Sequence, residues 1–411
     1  MLTMNKENKQ VMELFQDGNF VKICAPMVRY SKLQFRNLVK RYDCDLCFTP
    51  MILADSFCMS EKARNNEFTT NLDDTPVIIQ FASNTVDDFT MAAVSASPFC
   101  SGVDLNCGCP QRWAKQQGLG CVMLEKPQKI FDITRECRNK ILKPFTVSVK
   151  TRILNDLRRT VEICRQIEKA GASFLTVHAR TADHSTGDIN EEALKLIKEN
   201  IDIPLVANGG IRSLSDCYQL RDSVGCDGVM VANAILQNPA IFSGINETPL
   251  DCVQHWVDIC YNTTISRSEY RFLSETNRTS VIPERPPNLT FQCFHHHLVF
   301  MMEKILPKRK RRIFNNFKKF QEVFEFLKKE FNIVPSLFGI EDYEKVIPLS
   351  LAYDVADNSH FGSDAKLLDE KCEHLAYNSS WSNGKYFVSK TADEKCTDKD
   401  CDWSDMFLEN D

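Results

Sequence analysis

The chain has 411 residues, 43% hydrophobic and 26% charged, with 50 Lys+Arg against 55 Asp+Glu for a net charge of −5. That composition excludes a fibrous or wholly disordered protein and leaves room for two or three domains of roughly 100–200 residues each. No apolar run approaches the roughly 18–20 residues that span a bilayer, so no membrane association is expected. The 18 Cys are scattered and the start, Met1 to Gln10, is polar, which reads as reduced thiols in an intracellular protein.

Taken in chain order, short apolar or β-branched runs recur at Val21–Ala25, Leu46–Thr49, Val77–Phe81, Gly102–Asn106, Thr146–Lys150, Phe174–His178, Pro204–Asn208 and Gly228–Val231. Each is too short for a core helix and continuous enough for a strand buried on both faces. Longer amphipathic stretches separate them; in Leu157–Ala170, Val161, Cys164 and Ile167 are spaced three apart and Gly171 stops the helix. Eight strand-helix units within about 245 residues predict an α/β fold, a (β/α)8 TIM barrel over residues 1–245. A doubly wound sheet is the alternative, but no Gly-x-Gly-x-x-Gly follows an early strand.

Beyond the barrel, Thr290–Phe331 holds 10 basic and 4 acidic residues, whereas Asn332–Asp411 holds 7 Lys, no Arg and 17 Asp+Glu. The first of these predicts a smaller helical domain, residues 246–331, able to meet a polyanion; the second predicts an acidic disordered tail, 332–411. Ile313, Phe317, Phe320, Phe324, Leu327 and Phe331 step by three and four, one apolar helix face read as core. The run Lys308-Arg309-Lys310-Arg311-Arg312 precedes it, read as a phosphate contact, with a solvated face or a nuclear-import signal as alternatives. Phe294-His295-His296-His297 is read as packing plus RNA contact, and the Ser/Thr/Pro-rich stretch near 262–289 as a flexible insertion.

In a parallel barrel the strand C-termini converge on one mouth. The residues placed there are Ala25-Pro26-Met27, Gln80, Asn106 with Cys109, Lys150, His178, Asn208-Gly209-Gly210 and Ala232-Asn233. Individually, Lys150 could be a surface lysine, His178 a structural histidine, and Gln80 and Asn106 strand caps; together they describe a site. It lacks paired carboxylates for glycoside hydrolysis and the oxygen cage of a divalent metal. Amides, one cation and glycine turns suit a planar heterocycle bearing a phosphate, such as flavin mononucleotide. Cys109 sits in Asn106-Cys107-Gly108-Cys109-Pro110, a tight turn after a strand; a thiol of ordinary pKa is a proton donor at neutral pH. A structural cysteine or half of a zinc site with Cys44-Asp45-Leu46-Cys47 are the alternatives, the latter disfavoured because Cys44 precedes a strand and Cys109 follows one.

These stretches resemble the tRNA-dihydrouridine synthase family: Ala25-Pro26-Met27-Val28-Arg29-Tyr30-Ser31, Ile79-Gln80-Phe81, Asp104 to Pro110, Val149-Lys150-Thr151-Arg152, Val177-His178-Ala179-Arg180-Thr181 and Ala207-Asn208-Gly209. Their wording is most similar to the eukaryotic dihydrouridine synthase 4-like branch, which acts at positions 20a and 20b of the D-loop. The resemblance implies that NADPH (or NADH) reduces FMN, that hydride passes to carbon 6 of a uridine everted from tRNA, and that Cys109 protonates carbon 5. It implies flavin contacts from Ala25, Pro26, Met27, Gln80, Lys150, His178, Asn208, Gly209, Gly210, Ala232 and Asn233, uracil contacts from Asn106, Lys150 and Arg180, and tRNA contacts from Lys308, Arg309, Lys310, Arg311 and Arg312. No structural metal is implied. A monomer is expected, in the cytoplasm, with the nucleus as a second compartment. Three positions depart from the family pattern: Ala179, Gly210, and Asn233 where an arginine is usual. Asn233 is expected to weaken flavin retention. A flavin barrel acting on a free pyrimidine, like dihydroorotate dehydrogenase, and a catalytically silent tRNA-binding homologue are the competing readings.

Overall fold

A computed structural model describes residues 10–184, 186–276 and 289–349. Its core is a sheet of nine parallel strands: β1 Val21–Cys24, β2 Leu46–Phe48, β3 Ile52–Leu53, β4 Val77–Ala82, β5 Gly102–Cys107, β6 Thr146–Arg152, β7 Leu175–His178, β8 Leu205–Asn208 and β9 Gly228–Val231. The hydrogen-bonded order runs β2-β1-β9-β8-β7-β6-β5-β4-β3, and β2 also pairs with β4, closing the ring. The two residues of β3 extend the second position beyond Thr49-Pro50, so eight staves form the barrel expected from the sequence. All eight strand expectations fall within one or two residues of the strands found.

Helices cover the outside because their apolar stripes have nowhere else to go. The helix Leu157–Lys169 opens on Asp156, whose carboxylate accepts the Arg159 N–H at 3.2 Å, and buries Thr160, Ile163, Cys164 and Ile167. The buried stripe is therefore rotated from the expected one, and Val161 lies at its edge, only partly covered. Gly171, at φ +102°, makes the turn that ends it.

The C-terminal region differs from expectation in three places. The apolar stripe from Ile313 to Phe331 is not one helix: Lys308–Phe314 and Phe320–Phe331 are separate, joined by a turn in which the Glu322 carboxylate accepts the N–H groups of Lys318 and Lys319. The break rotates Ile313 to the surface, 51% exposed, and Phe314 takes the core position instead. The expected flexible insertion begins as a helix, Arg267–Thr276, with Tyr270 stacked on Tyr343 at 3.9 Å between ring centroids; residues 277–288 lie outside the described ones. The expected tail is folded at its start. Ile340–Val346 is a helix, Tyr343 and Val346 are buried, and the Tyr343 hydroxyl donates to the Ile265 carbonyl at 2.7 Å. The remainder, 350–411, lies outside the described residues. Among those described, no helix is long and apolar enough to cross a membrane.

The helix Phe291–Met301 docks on the barrel through its histidines. His297 is buried and stacks on Phe35 (4.4 Å), its Nε2 donates to the Tyr30 carbonyl (3.1 Å), and His296 Nδ1 meets the Tyr30 hydroxyl (3.2 Å). His295 Nε2 donates to the Phe314 carbonyl (2.9 Å). Two of the three are thus packing residues, and Tyr30, in the loop after β1, is the point where the helical region grips the rim.

Candidate active site

Parallel pairing sets which side chains share the barrel interior. Gln80, Asp104 and Ser148 lie side by side on β4, β5 and β6. Asn106, Lys150 and Thr176 form the next row, and Arg152, His178, Asn208 and Met230 the row nearest the mouth. Alternate residues along each strand point the same way, so the inward set is polar towards the C-terminal ends.

These polar groups pair with one another rather than with water. Lys150 Nζ donates to Asn208 Oδ1 at 3.0 Å, and Asn208 Nδ2 donates to the Met230 carbonyl at 2.9 Å. Burial and the neighbouring Arg152 push Lys150 down to about 8. His178 is held neutral, well below the ordinary histidine range, by burial and by Lys150, Arg152 and Arg180 around it. Its Nε2 lies 3.3 Å from the Arg180 guanidinium, which can only donate, so Nδ1 carries the ring proton. Arg180 is tied further to the Gly187 carbonyl at 3.1 and 2.6 Å. Gly209 (φ +110°) and Gly210 (φ +72°) follow; a Cβ on Gly209 would sit 2.9 Å from the His178 ring.

Cys109 lies just beyond the end of β5, half-buried against Leu53, Ala82, Ala114 and Leu119. Its turn is held at the N–H and the carbonyl of both Gly108 and Cys109. Asn106 Oδ1 accepts the N–H of Gly108 (3.2 Å) and of Cys109 (3.0 Å), Arg152 Nε donates to the Gly108 carbonyl (2.8 Å), and Cys121 N–H donates to the Cys109 carbonyl (3.0 Å). Only glycine fits at 120, where a Cβ would meet the Cys109 carbonyl at 2.5 Å. Burial raises the Cys109 thiol, with Arg152 and Lys150 pulling it partly back, so it stays protonated at neutral pH. Cys44 and Cys47 lie at the other end, Sγ to Sγ 3.8 Å, with Cys44 against the Lys22 carbonyl. Among the described residues no group of three or more His, Cys, Asp or Glu side chains could hold a metal.

Two residues expected to face ligand turn largely to the protein. Gln80, 1% exposed, donates Nε2 to Asp104 Oδ2 (2.9 Å) and accepts on Oε1 from Asn106 Nδ2 (2.8 Å). Sequence reasoning assigned no role to Asp104, which burial raises to about 6 against the opposing hydrogen bonds of Ser148 and Gln80 and the charge of Lys150, or to Arg152. The available signal was polar residues at every second position of otherwise apolar strands: Asp104 and Asn106, then Ser148, Lys150 and Arg152.

Beside the mouth is a cavity of about 320 Å³ whose lining includes Arg180, Gly210, Arg212, Asn233, Asn238 and Lys304. Asn233 lines this cavity, and Arg212, from the loop after β8, brings a guanidinium to it. Of the basic run, Lys310 pairs with Glu330 and Arg311 donates to the Glu303 carbonyl (2.8 Å), leaving Lys308, Arg309 and Arg312 exposed.

A closed parallel barrel that gathers a half-buried thiol, a half-buried lysine and a neutral histidine at the C-terminal ends of its strands has the architecture of a barrel enzyme. The chain belongs to the dihydrouridine synthase family, whose model matches residues 23–331. It is 45% identical over 323 residues, 78% of this chain and 92% of the relative, to the tRNA-dihydrouridine(20a/20b) synthase (NAD(P)+)-like protein of Mus musculus. It is 36% identical to a tRNA-dihydrouridine(20a/20b) synthase of Schizosaccharomyces pombe, over 74% of this chain and 86% of the relative. A Rattus norvegicus tRNA-dihydrouridine(16/17) synthase-like protein matches at 33% over 59% of this chain and 56% of its own length.

Proposed function

We propose that the chain reduces the carbon 5–carbon 6 double bond of D-loop uridines in tRNA, at positions 20a and 20b, using FMN and a nicotinamide dinucleotide, NADPH or NADH. The observation that carries this reading is the placement of Cys109, Lys150 and His178 at one mouth beside a cavity lined by Arg180, Arg212 and Lys304 together with Glu247 and Glu303. Relatives named for the 20a/20b position match at higher identity and over more of the chain than the 16/17 relative does.

The donor set fits FMN. Lys150 supplies a cation for the pyrimidine edge and His178 a neutral Nδ1–H donor, while the left-handed glycines 209 and 210 leave backbone bare beside the cavity. Arg212 supplies the phosphate charge that Asn233 lacks, so the departure at Asn233 is compensated from the neighbouring loop. When bound, the reduced flavin supplies a hydride for carbon 6. Cys109 holds its proton through neutral pH, gives it to carbon 5 and regains one from solvent, so the thiol is a general acid and no covalent adduct is needed. Arg180, between His178 and the cavity, orients the uracil or its phosphate. Lys308, Arg309 and Arg312 meet the tRNA backbone, and the barrel to residue 245 works as a monomer with the helical region docked at its rim.

Nucleoside mass spectrometry of unmodified tRNA incubated with protein, FMN and NADPH tests the reading. Dihydrouridine at 20a or 20b is expected; reduction of free uridine at equal efficiency would overturn it.

A further inference from the structure

We propose that Asp104 is a positioning residue for the Cys109 turn, acting through a one-directional chain of amide hydrogen bonds. The direction follows from the far end. The N–H groups of Gly108 and Cys109 can only donate, so Asn106 presents Oδ1 to both (3.2 and 3.0 Å). Asn106 Nδ2 is then forced outward and needs an acceptor, which Gln80 Oε1 provides at 2.8 Å. Gln80 Nε2 in turn needs an acceptor, and Asp104 Oδ2 provides it at 2.9 Å. The other carboxylate oxygen accepts from the Ser148 hydroxyl at 2.7 Å, which fixes the carboxylate plane.

Every member is buried, so no member can turn to water. Asp104 is 0% exposed, Gln80 1% and Asn106 8%. Reversing either amide alone would set donor against donor at one of its contacts and acceptor against acceptor at the other. The orientation of two amides and the seating of the thiol's turn therefore depend on an acceptor at position 104. This explains an acid with no partner cation in contact deep in a barrel. The Gly108 and Cys109 carbonyls are held separately, by Arg152 and by the Cys121 N–H, so the turn stays in place when its N–H anchors are lost but its freedom grows.

Hydrogen exchange of the Gly108 and Cys109 amides, read by mass spectrometry on the flavin-free protein, tests the chain directly. Asp104→Ala should speed exchange there roughly tenfold or more, the weight of a lost buried hydrogen bond, while the amides of Leu175–His178 keep their protection. Asp104→Asn should restore wild-type exchange, because its Oδ1 still accepts from Gln80 while Nδ2 donates to Ser148. Gln80→Met, which cuts the chain one link further on, should reproduce the Asp104→Ala effect and serves as the decisive variant if Asp104→Ala does not fold. Unchanged exchange in Gln80→Met, or an Asp104→Asn as free as Asp104→Ala, would overturn the proposal.

The activity arm rests on the reading of Cys109 as the acid. There, kcat on tRNA should fall roughly tenfold in Asp104→Ala and recover in Asp104→Asn. If the wild type forms no dihydrouridine while the exchange pattern holds, it is the functional reading that fails and the positioning role stands.

Discussion

The barrel mouth and the C-terminal helical region handle polar groups in opposite ways. At the mouth, Asn208, Gln80, Asn106 and Asp104 are withdrawn from water, and these groups and the half-buried Lys150 are satisfied by one another. In the helical region the cations Lys308, Arg309 and Arg312 stand in solvent on a short helix, and what is buried beneath is aromatic: Phe294, Phe314, Phe324 and the stacked histidines. The first arrangement costs stability to fix atoms for chemistry at one place. The second leaves long side chains free to track a phosphate backbone, where precision within an ångström is not required.

Removing the thiol breaks the contrast most severely. Cys109→Ala should lower dihydrouridine formation by about 10²–10⁴, the usual worth of a positioned acid, with flavin content and tRNA binding retained; undiminished product would remove Cys109 from the mechanism. Lys150→Met should sharpen it by separating function from stability. Turnover and flavin retention should fall, while the flavin-free protein gains roughly 1–2 kcal/mol at pH 7 in denaturant titration. The sign follows from the depressed pKa of about 8. Between that value and its unfolded pKa the unfolded chain binds the extra proton, so wild-type stability rises with pH there and the variant's advantage shrinks. Equal stability of the two proteins at pH 7 would mean the lysine is not buried as a charge.

Flavin retention on dialysis offers a mid-sized test on the cavity between the two regions. Arg212→Ala should lose several-fold in affinity, and Asn233→Arg should gain little because a guanidinium is already there. A large gain in Asn233→Arg with no loss in Arg212→Ala would return the phosphate grip to position 233. In the helical region, Lys308→Glu and Arg312→Glu should each weaken tRNA binding several-fold and reduce the salt slope by about one, with Lys310→Glu weaker because Glu330 already occupies it. Equal effects at all three positions would show that the ion pair does not persist in solution. Tyr30→Phe should be the mildest, roughly 0.5–1.5 kcal/mol, since it removes one half-buried hydroxyl contact to His296.

The eight staves were legible because a strand covered on both faces must be an apolar run, and runs such as Val77–Phe81 have no other use in so short a span. The rim was legible for a related reason: parallel topology puts every strand C-terminus at one end, so Lys150, His178 and Asn208 could be grouped without knowing a contact. Partners were not. Whether Gln80 faces a ligand or Asp104 depends on which strands adjoin and in what register, and a single strand does not carry that information. The stripe from Ile313 to Phe331 misled because period alone does not register a break: seven residues on, the same face resumes by coincidence of the turn at Asn315–Lys319. The acid-rich count after Asn332 concealed a folded start, because Tyr343 and Val346 are few in number yet sufficient to pin one short helix.

The stack of Tyr270 on Tyr343 has an engineering consequence. Tyr270 also donates to the Phe338 carbonyl, and Leu289 at the far side of the insertion is wholly covered, so departure and re-entry of the chain are both clamped. By loop-closure entropy alone, doubling the length of a chain span closed between two such fixed ends should cost only about 0.6 kcal/mol. A purification epitope or a fluorescent reporter spliced between the two clamps should therefore leave the stability of the barrel within that margin.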